Sequence, residues 1–352
     1  MPRPSGHRDF GVFLPVANGG WIVSETTPPL DGLWPQNLAA AQAADTIGLD
    51  FVMSMGKWRG FGGATNHWGV SLESITLMAA LAQATRHVKL WATAHALLHN
   101  PAVTAKMIAT LDHVSGGRAG LNIVAGAYRE EFEQMGAWDD ALDHDARYDL
   151  ADEWTTIVKR LWSEPRVDFQ GRHFQMHDCV CDPKPLSKPR PGLICAGMSD
   201  RGFEFAVRQV DAVFVGGRDL GEHRDHSRRA KAVAARHGGT IKTYAMCTLV
   251  HAGTDKAAEA LARRYADGAD MAAITSILRS WGAPPEQLDA EARAHGAFMT
   301  QTVVGSPATC AEKTETFLDY CELDGLMLIF PDYSEGLSMF GAEILPRLRV
   351  AG

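Results

Sequence analysis

Eight short apolar runs, most of them followed by a stretch of helical period, constrain the fold of this chain more than any other feature. They cover residues 10–15, 51–55, 88–94, 119–125, 193–196, 212–215, 243–250 and 326–330. Strands buried on both faces of a parallel sheet read as unbroken apolar runs, whereas half-exposed strands alternate. Eight such strands separated by helices suit a closed α/β barrel of the (β/α)8, or TIM, type. A doubly wound open sheet is the alternative, but no G-x-G-x-x-G follows the first run, where a dinucleotide fold wants it. Local signals support the helices. In 101–115, Val103, Met107, Ile108, Leu111 and Val114 recur at helical spacing and are expected to form the buried face. Asn100 suits the N-cap, Pro101 the first helical position and Gly116 the stop.

At 352 residues the chain exceeds the roughly 250 of a plain barrel. The excess falls in two connections, 126–191 after strand 4 and 251–324 after strand 7. The first holds a helix over 143–162 and a hairpin-like stretch over 169–176 with Gly171 at its turn. Both are expected to be lids or interface elements of one domain spanning 1–352.

A formal charge of −8 argues against nucleic-acid binding, which needs a basic stripe. No apolar run reaches the roughly 18 residues of a membrane span, and the N-terminus leads into a strand without a signal peptide, so a cytoplasmic location is expected. Six cysteines in so long a chain make no disulfide framework. Cys179 and Cys181 read as two strand positions on one face, His95 and His99 as flanking a loop, and His223 and His226 as solvated. No metal site is expected.

The active site of such a barrel lies at the C-terminal ends of its strands. The residues there include Pro15, Ser54, Met55, Gly56, Lys57, Thr93, His95, Asn122, Gly126, Gly197, Met198 and Ser199. They include few carboxylates and no nucleophile triad, so hydrolysis has little support. Amide, hydroxyl, glycine and apolar groups with one lysine suit a planar cofactor that carries the chemistry itself. Duller readings stand beside this one. Lys57 can be a solvated loop lysine, Asn122 a structural hydrogen bond, and Arg147 and Tyr148 packing or surface residues.

Several stretches bear a family likeness: Gly11–Pro15 with Gly20-Trp21, Ser54-Met55-Gly56-Lys57, Arg59-Gly60-Phe61-Gly62-Gly63 and Leu72–Ala79. Further ones are Val114-Ser115-Gly116-Gly117-Arg118, Glu131–Gly136 and Ile194–Asp200. On these the chain resembles the pyrimidine (uracil) monooxygenases of the bacterial-luciferase-like superfamily. The resemblance implies reduced FMN as cosubstrate, supplied by a separate NAD(P)H:flavin reductase, and dioxygen as the oxidant source. It implies oxidative C–N cleavage through a flavin N5-peroxide in a pyrimidine-like N-heterocycle or amide. By the same resemblance Gly56, Lys57, Asn122, Glu131, Arg147, Tyr148 and Ser199 match flavin contacts, and Thr93, Asn122 and Met53 the oxygen site. Ser199 opens a helix after Gly197-Met198, where free backbone N–H groups suit a phosphate. A homo-oligomer is expected.

Two departures bear on the substrate. Met53 stands where the pyrimidine enzymes have leucine, a soft replacement. Ala127-Tyr128 stands where they have Trp-Gln beside the substrate, so uracil is expected to be a poor substrate. Another oxygenation on the same flavin site (desulfonation, dehalogenation or C–S cleavage) is one alternative, and a non-catalytic flavin-binding protein is another.

Overall fold

A computed structural model describes residues 7–126 and 128–350. The strands are β1 Asp9–Phe13, β2 Phe51–Met53, β3 Lys89–His95, β4 Ala119–Val124, β5 Val167–Gln170, β6 Gln175–Cys179, β7 Gly192–Ala196, β8 Ala212–Val215, β9 Lys242–His251, β10 Gln301–Gly305 and β11 Gly325–Ile329. The helices through the first insertion are α1 Trp34–Thr46, α2 Ser74–Ala84, α3 Pro101–Ser115, α4 Arg129–Glu133 and α5 His144–Ser163. Then come α6 Asp200–Gln209, α7 Leu220–Arg236, α8 Asp255–Asp267, α9 Met271–Ser280, α10 Leu288–His295, α11 Pro307–Tyr320, α12 Tyr333–Met339 and α13 Leu345–Val350.

Eight parallel strands close in the order β1-β2-β3-β4-β7-β8-β9-β11 and back to β1, so the eight apolar runs are the eight barrel strands. The first insertion carries α4, α5 and the antiparallel pair β5–β6. The second carries α8, α9, α10 and a strand the hydrophobic pattern did not reveal. This strand, β10, pairs with the far half of the long β9, outside the closed ring. Its only signal was the short β-branched run Thr302-Val303-Val304 before Gly305. Among the described residues, no helix is long and apolar enough to cross a membrane.

The interior is packed. Phe13, Phe51, Met53, Trp91, Ile194, Phe214, Tyr244, Met327 and Ile329 fill it, while a larger apolar layer lies between strands and helices. The Trp91 indole fills the lower interior because two neighbouring strands carry glycine: a Cβ on Gly120 would come within 2.7 Å of the ring, and one on Gly192 within 3.1 Å. At the same end, His7, Asp9 and Asp50 bring ligand-type atoms within 4.8 Å of one another. Asp9 Oδ2 already receives Lys242 Nζ and the Tyr244 hydroxyl, each at 2.6 Å, and Asp50 Oδ2 accepts from Phe10 N.

The Ser-Gly-Gly-Arg turn is a clamp. Arg118 donates to the carbonyls of Ala82, Thr85, Val88 and Ser115 and to the Thr85 hydroxyl. It thereby satisfies carbonyls at the end of α2 that have no partner within the helix.

Three sequence readings need correction. In α3, Asn100 does cap the helix, accepting from the amides of Ala102 and Val103. The buried face, however, runs through Thr104, Ala105, Ile108, Leu111, Asp112 and Ser115, leaving Val103 and Val114 exposed. Polar residues won the inner positions because each has a partner: Thr104 donates to Asn100 O, Ser115 to Asp112 O, and Asp112 accepts from Ser187 and Ala119. His223 is buried, not solvated, against Phe317 with Nδ1 on Asp219 O. Cys181 lies beyond the end of β6, so it does not share a strand face with Cys179. All six cysteines are free.

Candidate active site

At the C-terminal end of the barrel, Thr93 of β3 and Asn122 of β4 are register partners, one layer above Trp91 and Gly120. Residues two apart on a strand share a face, so both side chains point into the barrel. The polarity of their contact is fixed from below. The carbonyl of Ser54 can only accept, so the Thr93 hydroxyl, 2.6 Å away, donates to it. The same oxygen must then accept from Asn122, whose Nδ2 donates at 3.0 Å. Asn122 Oδ1 is therefore turned away, buried and without a partner among the described residues. Ser54 contributes its carbonyl alone, since its hydroxyl turns outward to Ser74 of α2 at 2.5 Å. Met53 lies in the interior layer beneath.

Lys57, in the loop after β2, is buried rather than solvated. Its Nζ lies 3.3 Å from Glu131 Oε1 and 4.3 Å from the ring centres of both Phe61 and Tyr128. Burial lowers its pKa to about 8, against the opposing pull of Glu131. Glu131 also accepts from the amides of Trp58 and Arg59, and Gln134 donates to Trp58 O, so short α4 fastens the β2 loop. From the barrel outward, Phe13, Trp21, Trp68, Phe61 and Tyr128 form a chain of ring contacts with centroids 4.5–5.4 Å apart. Tyr128 turns its hydroxyl to the Gly60 carbonyl at 3.4 Å. Ala127 lies outside the described residues.

Across the mouth, Ser199 caps α6, accepting from Gly202 N at 3.0 Å, and its hydroxyl also hydrogen-bonds the Tyr148 phenol. The first amides of α6 have no partner within the helix. The Tyr148 hydroxyl lies so close that a Cβ on Gly197 would meet it at 2.4 Å. Met198 is exposed, its sulfur accepting from Gly216 N. Arg147, in the first turn of α5, donates to Gly126 O and Leu142 O and stacks on Trp138 at 5.1 Å. Three of its five N–H donors remain for other partners.

A sequence profile of the luciferase-like monooxygenase family matches residues 8–320. The chain belongs to that family. It is a flavin-dependent monooxygenase. The chain is 37% identical to the pyrimidine monooxygenase RutA of Stutzerimonas stutzeri, with 97% of this chain and 96% of that protein covered. It is 36% identical to the pyrimidine monooxygenase RutA of Acinetobacter baylyi, over 96% and 93%. Two solved structures share its fold. One is riboflavin lyase RcaE with modified FMN and riboflavin (TM-score 0.85, 23% identity, 98% of this chain and 92% of that one). The other is long-chain alkane monooxygenase LadA (TM-score 0.85, 19% identity, 100% and 92%).

For a luciferase-like monooxygenase the residues present fit a flavin mononucleotide. The orphaned Asn122 Oδ1 needs a donor, the open start of α6 with the Ser199 hydroxyl suits a phosphate, and the aromatic chain offers a flat wall. The tertiary structure brings Gly56 against Thr93, Thr93 to Asn122 and Lys57 to Glu131, and joins Tyr148 to Gly197 and Ser199, with Met53 in the layer beneath. Sequence reasoning did not single out Phe61, Trp68 and Trp21 as the wall, nor Trp138 under Arg147. The signal for the first three was aromatic density in 21–68, which periodicity does not separate from core.

Proposed function

We propose that this monooxygenase is the oxygenating component of a two-component system, using reduced FMN from a separate NAD(P)H:flavin reductase and dioxygen to cleave a C–N bond in an N-heterocycle or amide. The reading is carried by the Thr93–Asn122 pair at the strand ends, whose oriented amide leaves a buried acceptor without a partner among the described residues. It draws support from the likeness to pyrimidine monooxygenases. Gly56, Lys57, Asn122, Glu131, Arg147, Tyr148, Gly197, Met198 and Ser199 would hold FMN, with its phosphate at Ser199. Bound in reduced form, FMN supplies the two electrons that activate dioxygen. Thr93 and Asn122 hold the oxygen, with Met53 as the apolar floor. Lys57 sets a positive charge beside the ring-binding wall, and the aromatic chain excludes water from one side. A cytoplasmic homo-oligomer completes the proposal.

The substrate is not uracil in this reading. With its hydroxyl on Gly60 O, Tyr128 presents a ring face where an amide would pair with a pyrimidine edge. An unpaired polar atom on a bound ligand costs about 1–3 kcal/mol, so a bulkier or more aromatic heterocycle is favoured. The test incubates the protein with FMN, a flavin reductase, NADH and a panel of N-heterocycles and amides, following oxygen uptake and product masses. Ring opening or C–N cleavage with one added oxygen atom supports the reading. Efficient uracil opening overturns the substrate assignment, and oxygen uptake without any product overturns C–N cleavage.

A further inference from the structure

His95 is the last residue of β3, two positions beyond Thr93 and therefore on the same inward face. Only 4% of it is exposed. Its ring packs edge-on to Phe132 of α4, with centroids 5.4 Å apart, and lies beside His99. The Nδ1 atom is buried and has no hydrogen-bond partner among the described residues. It faces the β2 loop: a Cβ on Gly56 would lie 2.7 Å from Cε1 and 3.2 Å from Nδ1. Glycine at 56 thus keeps open the space in front of this nitrogen. A buried polar atom in a native fold is ordinarily paired, and an exception calls for a ligand or a function.

Resting on the flavin-site reading above, we propose that His95 is a further residue of the site, its Nδ1 hydrogen-bonding the amide or imide edge of the ligand seated against Gly56. Burial, reinforced by His99 and Lys57, lowers its pKa to about 3, so the ring is neutral through the physiological range. A neutral imidazole has one N–H donor and one lone pair, and its tautomer follows the partner. Nδ1 can thus accept from an imide N–H or donate to a carbonyl. Both the pyrimidine half of a flavin and a cyclic amide substrate present that chemistry. His95 is distinct from the Thr93–Asn122 pair, whose bonds close on each other and on Ser54 without it.

Two arms separate the ligand sources. FMN binding is measured first on the protein alone, by quenching of flavin fluorescence, for the parent, His95→Phe and His95→Gln. Binding of barbituric acid, a cyclic imide, to the FMN-saturated proteins is measured next by calorimetry. Phe keeps the packing on Phe132 but offers no hydrogen bond, whereas Gln restores a polar atom. The proposal expects one affinity to fall roughly tenfold in His95→Phe and to recover in part in His95→Gln. Loss in the FMN arm assigns the flavin edge; loss confined to the imide arm assigns the substrate edge. In the parent, 15N-labelled at histidine, the His95 Nδ1 resonance shifts when that ligand is added, a readout independent of how the variants fold. Parent-like affinities in both arms, or an unmoved His95 resonance in the presence of both ligands, overturn the proposal. A parent that binds no FMN overturns the flavin reading on which it rests.

Discussion

Lys57 and Glu131 form a buried ion pair, Nζ to Oε1 3.3 Å, with aromatic rings around the ammonium and two backbone amides sharing the carboxylate. The carboxylate is stabilised by more than the lysine, so removing the lysine still leaves it hydrogen-bonded. The lysine has the weaker position, and its lowered pKa records that.

The sign of the resulting pH dependence follows from proton counts. In the folded chain Lys57 gives up its proton near pH 8, but in the unfolded chain only near 10.5. Between these values the unfolded state binds more protons, so this group makes stability rise with pH. Urea denaturation of the parent and Lys57→Met at pH 7.5 and pH 10 should show the parent gaining relative to the variant. A constant difference between them would place the lysine's titration outside that window.

Thr93→Val preserves shape but removes the oxygen that joins Ser54 O to Asn122 Nδ2. FMN should still bind, while product formed per flavin falls roughly a hundredfold, the scale of losing one preorganised polar group. Rapid mixing of the reduced complex with oxygen, following flavin absorbance and product together, checks this. Product at the parent rate would remove Thr93 from the oxygen site.

Gly197→Ala drives a methyl into the Tyr148 hydroxyl. FMN affinity should drop, and the double variant Gly197→Ala with Tyr148→Phe should recover part of it by freeing that space. Fluorescence titration of the parent, the two single variants and the double variant reads the coupling. Strict additivity would show that the two residues do not share one wall of the cradle.

Arg147 ties Gly126 O to Leu142 O and has donors to spare. Arg147→Ala should weaken FMN binding by about 1.5–3 kcal/mol if a charge-assisted bond to phosphate is lost. The same variant should bind riboflavin, which lacks the phosphate, with nearly parent affinity. An equal loss for both ligands would assign Arg147 to loop structure alone.

One layer beneath the Thr93–Asn122 pair, Gly120→Ala forces the Trp91 indole to shift. Overpacking of this kind costs about 1–3 kcal/mol. Chemical denaturation should show the loss, while FMN affinity remains at the parent value. An unchanged midpoint would mean that Trp91 yields without strain.

The barrel was legible in the sequence because strands buried on both faces must be apolar throughout, and eight such runs are hard to arrange otherwise. The cap at Asn100 and the helix start at Ser199 were legible too, because capping is local chemistry within a few residues. The family resemblance marked Gly56, Lys57, Thr93, Asn122 and Ser199 as candidates. What it did not carry was direction. The inner face of α3 went to Thr104, Asp112 and Ser115 because distant partners such as Ser187 satisfy them, and β10 became a strand because β9 is long enough to hold it. Whether Lys57 is solvated or caged depends on Glu131, 74 positions further along the chain, folding back over the β2 loop. The orientation of the Asn122 amide depends on the carbonyl of Ser54, two strands away. The sequence by itself determined the elements and the residue types at the strand ends, since burial and capping act locally. Only the tertiary structure decided which polar atoms were paired and which were left for a ligand, since hydrogen bonds between strands depend on register and closure.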